Sequence, residues 1–242
     1  MAAELGNEIA LITGAGRGIG RATALRLARA GCTLALVART ESELQAVAAR
    51  AASSGVRTLV LPADITNDAQ VESSVQRAVE ELDHISILVN NAGWAPPRTP
   101  VGKAAVADVD RVLATCLRAP IVLSRLLLPD MLLRQHGAIV NVASVAAHGA
   151  RPGEAAYAAA KAGLVAYTRA LFAEVRNSGV RAVTVSPGYV DTGFVPPNRR
   201  MDRAKFLQPE DVAEAIFRVL TCDGRACPTE VALEPQFDPE KS

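Results

Sequence analysis

The chain has 242 residues, half of them hydrophobic, which is enough for one sizeable core and ordinary for a single α/β domain. A formal charge of +1 at pH 7, with acids and bases interspersed, leaves no basic footprint for nucleic acid or an anionic membrane surface. Cys32, Cys116, Cys222 and Cys227 have neither C-x-x-C spacing nor histidines placed to complete a metal site, so free thiols in a reducing cytoplasm, and no metal, are expected.

The first residues carry Glu4 and Glu8 where a secretory leader would be basic. Ile9 to Thr13 is then a short apolar run, as in a strand buried on both faces, and Gly14-Ala15-Gly16-Arg17-Gly18-Ile19-Gly20 follows it directly. Ala22, Leu25, Leu27 and Ala28 carry helical spacing up to Gly31. Strand, glycine turn and helix together make a phosphate site, because glycines let backbone amides approach a pyrophosphate at the positive end of a helix. The spacing is G-x-x-x-G-x-G, not the commoner G-x-G-x-x-G.

Thr33 to Ala38 reads as the second strand. An acid at its end would bind the ribose 2′-hydroxyl of NAD; Ala38 stands there instead and Arg39 follows. Arg39, joined by Arg17, can hold a 2′-phosphate through charge-assisted bonds, which favours NADP(H) over NAD(H). A helix over Glu41 to Ser54 leads to a third strand, Arg57 to Leu61, and to Asp64-Ile65 at its carboxyl end, where an open parallel sheet binds ligands. Asp64 is suited to accept a bond from the adenine amine or to cap the next helix, Asp68 to Leu82. Ile85 to Val89 forms a fourth strand running into Asn90-Asn91-Ala92-Gly93, small residues that permit close cofactor contact.

The alternation continues with a helix over Val106 to Arg134, kinked near Pro120 and Pro129, and a strand over Ala138 to Ala143. A helix over Glu154 to Asn177, a strand over Arg181 to Ser186, a helix near Pro209 to Leu220 and a short strand at Glu230 to Leu233 complete it. Ile121 to Leu133 is the longest apolar stretch, but Arg125, Pro129 and Asp130 break it, which argues against a membrane span. Such regular alternation predicts a doubly wound parallel sheet of about seven strands with right-handed crossovers and helices on both faces. Residues 1–235 read as one dinucleotide-binding domain that includes the catalytic site, and 236–242 as a polar, mobile tail.

Within the helix that follows Gly153, Tyr157 and Lys161 lie four apart, which puts a phenol and an ammonium on one face. A free tyrosine titrates near ~10, so acid–base work near neutrality asks for a shift of roughly three units, about 4 kcal/mol. Lys161, the helix N-terminus and a cationic cofactor ring would all favour the phenolate.

In order and spacing, Thr13-Gly14-x-x-x-Gly18-x-Gly20, Asn90-Asn91-Ala92-Gly93, Ser144, Tyr157-x-x-x-Lys161 and Pro187-Gly188 resemble the short-chain dehydrogenase/reductases of the single-domain type, over nearly all of Ile9 to Leu233. The resemblance implies that Tyr157 exchanges a proton with a substrate carbonyl oxygen, Ser144 holds that oxygen, and Lys161 binds the nicotinamide ribose and lowers the Tyr157 pKa. It also implies that Gly14, Gly16, Arg17, Gly18, Ile19, Gly20, Arg39, Asp64, Ile65, Asn91, Ala92, Gly93, Pro187, Gly188, Val190 and Thr192 bind the cofactor. A Rossmann-type sheet in the strand order 3-2-1-4-5-6-7 and a homodimer or homotetramer paired through the helices 106–134 and 154–177 are implied as well.

Several positions depart from the family pattern: Cys116 where an asparagine usually holds a water that connects Lys161 to solvent, Ser86 for aspartate, and Ala119 for glycine. The lid segment, Gly193 to Phe206, is short, which predicts an open pocket lined by Trp94, Pro96, His148, Tyr189 and Phe194, with Arg98 and Arg151 as anchors for an acidic group. An NADP(H)-dependent reductase of a ketone or aldehyde is therefore the expected activity. The alternatives are a 3-oxoacyl thioester reductase specifically and, because of Cys116, a catalytically weak NADP-binding sensor or scaffold.

Overall fold

A computed structural model describes residues 5–194, 201–222 and 225–240. Its strands are β1 (Ile9–Thr13), β2 (Thr33–Ala38), β3 (Thr58–Pro62), β4 (Ile87–Asn90), β5 (Gly137–Val142), β6 (Val180–Pro187) and β7 (Glu230–Leu233). The helices between them are α1 (Gly18–Arg29), α2 (Glu41–Ala51), α3 (Asp68–Leu82), α4 (Val106–Leu113), α5 (Ala119–Arg134), α6 (Ala155–Val175) and α7 (Pro209–Thr221). All strand pairs are parallel and their order is β3-β2-β1-β4-β5-β6-β7, as the resemblance implies. The order reverses between β1 and β4, which opens a crevice at the carboxyl ends of the strands.

Both faces of the sheet are covered, so central strands read as unbroken apolar runs; every residue of β5 is buried. One core layer joins α1, α2 and α7 to the sheet through Leu27, Leu44 and Ile216. The other joins α3, α5 and α6 through Val71, Leu123, Met131 and Leu171. Residues 106–134 are long and apolar enough to cross a membrane by length and composition, yet Leu123, Leu127 and Met131 are buried in that second layer.

A chain of polar groups runs through this core. Asn90 and Asn141 face each other in register on β4 and β5. The Asn90 amide donates to Asn141 Oδ1 at 2.9 Å, and the Asn141 amide donates to Thr168 Oγ1 on α6 at 2.8 Å. Ser86, where an aspartate was the commoner choice, accepts the Ile9 N–H through its hydroxyl at 2.9 Å and so ties the start of β4 to β1.

The long helix expected over 106–134 has a π-helical turn at Ala114–Arg118 between α4 and α5, in which the Ala119 N–H reaches back to Ala114 O. Pro120 accounts for the place of the break. It has no N–H to return to the preceding turn, so the ladder slips by one residue ahead of it. Other boundaries move by one to three residues; α2 stops at Ala51, and the single 3₁₀ turn after it ends on Gly55 at φ +73°.

Candidate active site

The turn after β1 needs its glycines. Gly14 and Gly18 have φ of +65° and +54°. A Cβ on Gly20 would lie 2.2 Å from the Gly14 carbonyl oxygen and 2.5 Å from the Asn91 amide nitrogen. Asn91 closes the cradle by donating to Thr13 O at 2.9 Å, while its own N–H and that of Ala92 donate to Thr13 Oγ1 at 3.0 and 3.1 Å. No side chain caps the start of α1 and its first turn holds no acid, so its positive end is open toward the cradle.

Across the crevice, β5 and α6 build the opposite wall. Gly153, at φ +87°, lets the chain pass beside the Arg98–Thr99 backbone, and its carbonyl accepts the Thr99 N–H at 3.1 Å. α6 then begins, with Tyr157 in its first turn and Lys161 one turn on. Lys161 is only 3% exposed and donates to Val142 O, at the end of β5, at 2.7 Å. Its Nζ is 5.8 Å from the centre of the Tyr157 ring. Ser144 stands two residues beyond β5, where its Oγ accepts the Ala146 N–H at 3.2 Å.

Burial pushes the Tyr157 hydroxyl above its ordinary range, and Cys116 adds to the push, while a hydrogen bond with Ser144 works the other way. Burial also draws the Lys161 ammonium below its ordinary value. Among this chain's own groups, desolvation therefore outweighs the Ser144 bond, and the expected lowering of the Tyr157 value by Lys161 is not seen.

Gly14, Gly16, Arg17, Gly18, Ile19, Arg39, Asp64, Ile65, Asn91 to Gly93, Ser144, Tyr157, Lys161, Pro187, Gly188, Val190 and Thr192 all line one cleft of about 2080 Å³, while Gly20 is buried behind Gly14 and Asn91 and does not line it. That volume is about twice the upper end for a site holding one drug-sized ligand, so a dinucleotide and a second molecule fit together. Trp94, Pro96, His148, Tyr189 and Phe194 line the same cleft; the Phe194 ring is 5.9 Å from that of Tyr157. Positions 195–200 of the lid segment lie outside the described residues.

Some side chains are placed differently from expectation. Asp64 does not cap α3; Asn67 does, accepting from Gln70 N–H at 3.1 Å. Asp64 Oδ1 instead accepts from the Thr66 N–H and hydroxyl. Burial is the largest single influence on this carboxyl and raises it, but the Thr66 bonds with the Arg39 and Arg111 charges together hold it below the usual value. Arg98 and Arg151 are not open anchors: Arg98 pairs with Glu154 at 2.7 Å and Arg151 lies 3.5 Å from Glu240. His148 pairs with Glu230, which Arg169 also holds.

Cys116 is fully buried, and its thiol lies against the Trp94 backbone, donating to the carbonyl at 3.3 Å with the Trp94 N–H 3.5 Å away. Arg111, which no motif singles out, sits 4.2 Å over the Trp94 ring. Glu43 is also unannounced by any motif; a Cβ on Gly16 would come within 2.7 Å of its carboxylate.

A family model described as short chain dehydrogenase matches residues 8–203. The chain belongs to that family. As a short-chain dehydrogenase it is 30% identical over 231 residues to an uncharacterised oxidoreductase of Staphylococcus aureus strain MRSA252, covering 96% of this chain and 98% of that protein. The structure is similar to an alcohol dehydrogenase of the archaeon Thermococcus sibiricus complexed with 5-hydroxy-NADP, with TM-score 0.87, 25% identity, and 97% and 99% of the two chains covered. It is similar too to a 3-ketoacyl-(acyl-carrier-protein) reductase of Brucella melitensis complexed with NADH, with TM-score 0.86, 28% identity, and 96% and 97% covered. This short-chain dehydrogenase is an oxidoreductase by family, with relatives that bind either dinucleotide.

Proposed function

We propose that this oxidoreductase reduces a ketone or aldehyde to an alcohol, reversibly, with NADP(H) preferred over NAD(H). The observation that carries the proposal is the convergence of Ser144, Tyr157 and Lys161 on one wall of a cleft whose other wall is a glycine cradle. The cradle fits a dinucleotide: backbone lies where side chains would block a pyrophosphate, and α1 offers it an uncapped N-terminus. Lys161 would hold the ribose hydroxyls, and Val190 and Thr192 the carboxamide. When bound, the cofactor supplies the hydride.

Ser144 holds the substrate oxygen, and Tyr157 gives it a proton in reduction and takes one back in oxidation. Burial keeps the Tyr157 hydroxyl protonated through neutral pH, as a donor requires.

The cofactor preference rests on charge. Among the described residues neither Arg17 nor Arg39 has an ion-pair partner, although both face the cleft. Replacing Arg39 with Ala should weaken NADPH binding by about 10- to 100-fold, the worth of one charge-assisted bond, with little effect on NADH. Titration with both cofactors checks this; an unchanged ratio of the two affinities takes the arginine out of the phosphate site.

A 3-oxoacyl thioester reductase is the narrower alternative, supported by the Brucella relative. Cys116 gives a scaffold reading little support, since its buried thiol meets the Trp94 backbone on both sides. Ala159, Ala162, Ala166 and Ala170 make an exposed small-residue stripe on α6, and Val106 is exposed on α4. We infer a homodimer or homotetramer through these helices, which sedimentation equilibrium would show; a monomer at micromolar concentration refutes it.

A further inference from the structure

We propose that the cleft rim at Tyr189 is a binding subsite for an anionic group on the substrate, which Glu240 fills in the free protein and vacates when a carbonyl compound bearing a carboxylate enters. This step rests on the carbonyl-reductase reading above and narrows its substrate class.

The evidence is a convergence of donors on one carboxylate oxygen. Tyr189 donates its hydroxyl to Glu240 Oε1 at 2.9 Å, and Arg151 Nη1 lies 3.5 Å from the same oxygen. Arg98 Nη2 donates to the Tyr189 hydroxyl at 2.9 Å and so makes that phenol a stronger donor. The Tyr189 ring is fixed between Phe206, stacked at 5.3 Å, and the Arg151 guanidinium, 4.7 Å from its centre. Tyr189, Arg98 and Arg151 line the cleft that also holds Ser144 and Tyr157.

The two acids at this rim are held differently. Glu154 precedes α6 and is bonded by Arg98 Nε at 2.7 Å and by the Arg151 N–H at 3.3 Å, so it is part of the wall. It neutralises one of the two guanidinium groups. Glu240 belongs to the segment after β7 and its side chain is 41% exposed, so its carboxylate re-enters water at small cost. Once it leaves, Arg151 loses that carboxylate and stands beside a polarised phenol, a pair that recognises an incoming one; Glu234, against Gly188, lies in the same cleft. The backbone tether survives the exchange, because Pro239 is buried and its carbonyl accepts the Asp202 N–H at 3.0 Å.

Acetoacetate and ethyl acetoacetate present the same ketone with and without the charge, and test the subsite in the full-length protein. Glu240→Gln should lower KM for acetoacetate relative to the ester by about fivefold, the upper end for a part-exposed ion pair. Arg151→Met should move the same ratio the other way. An unchanged ratio in Glu240→Gln, or a parallel shift for acid and ester, overturns the subsite.

Should neither compound turn over, the reductase reading suffers but the subsite is still measurable. Trp94, the single tryptophan, lines the cleft and reports acetoacetate binding by its emission. Glu240→Gln must then bind acetoacetate about fivefold more tightly than the parent chain. Equal affinity refutes the proposal without bearing on catalysis.

Discussion

Replacing Tyr157 with Phe should cost carbonyl reduction about 10²- to 10⁴-fold in kcat/KM, the span of general acid catalysis by one positioned group. Phenylalanine keeps the ring and its contact with Phe194, so the wall of the cleft stays in place while the transferable proton is removed. Cofactor affinity, measured by titration, should change little. That combination separates proton transfer from cofactor holding: a variant that loses cofactor binding and activity together would mean that the hydroxyl is needed to hold the cofactor. Rates equal to those of the parent chain would remove Tyr157 from the mechanism.

Gly20→Ala should be the most damaging single methyl in the cradle. The new carbon would meet the Gly14 carbonyl oxygen at 2.2 Å and the Asn91 amide at 2.5 Å. Neither neighbour is the free end of a flexible side chain. Gly14 is pinned at φ +65°, and Asn91 is held by its bonds to Thr13. Forcing them apart should cost about 1–3 kcal/mol of stability, or roughly 2–12 °C in Tm for a chain of this size, and should also abolish dinucleotide binding. Gly102→Ala is the control, since nothing lies within 4 Å of a Cβ there; it should leave both melting and titration unchanged. If Gly20→Ala melts with the parent and still binds cofactor, the cradle is looser than its geometry implies.

Much of the fold was legible because the sheet is covered on both faces. Buried parallel strands read as plain apolar runs, and glycines at positive φ mark where a strand must hand over to a helix. The strand order came with the family resemblance, since right-handed crossovers alone allow more than one doubly wound order. Tyr157 and Lys161 could be paired from spacing alone, since one helical turn separates them.

Other features have no local signature. The Cys116 thiol meets Trp94 only because the π turn and the segment after β4 approach in space. Asp64 and Asn67 are both competent caps, and the choice between them falls to the bonds with Thr66 and Gln70. The segment 236–242 is polar and aperiodic, which predicts motion, yet Pro239 and Glu240 meet Asp202 and Tyr189 through one carbonyl and one carboxylate. Positions 241–242 lie outside the described residues. Contacts of that kind leave no trace in hydrophobic periodicity.

The line of amides from Asn90 through Asn141 to Thr168 bears on how the molecule comes apart. A strand that slipped by one residue would strand these side chains in a dry interior, at about 1–3 kcal/mol for each unmatched group. The central strands and the helix that carries Tyr157 are thereby locked into a single alignment, and misaligned intermediates are penalised. Slow amide exchange should spread from β4 and β5 into α6 as one block, so the catalytic wall opens only when the centre of the sheet does.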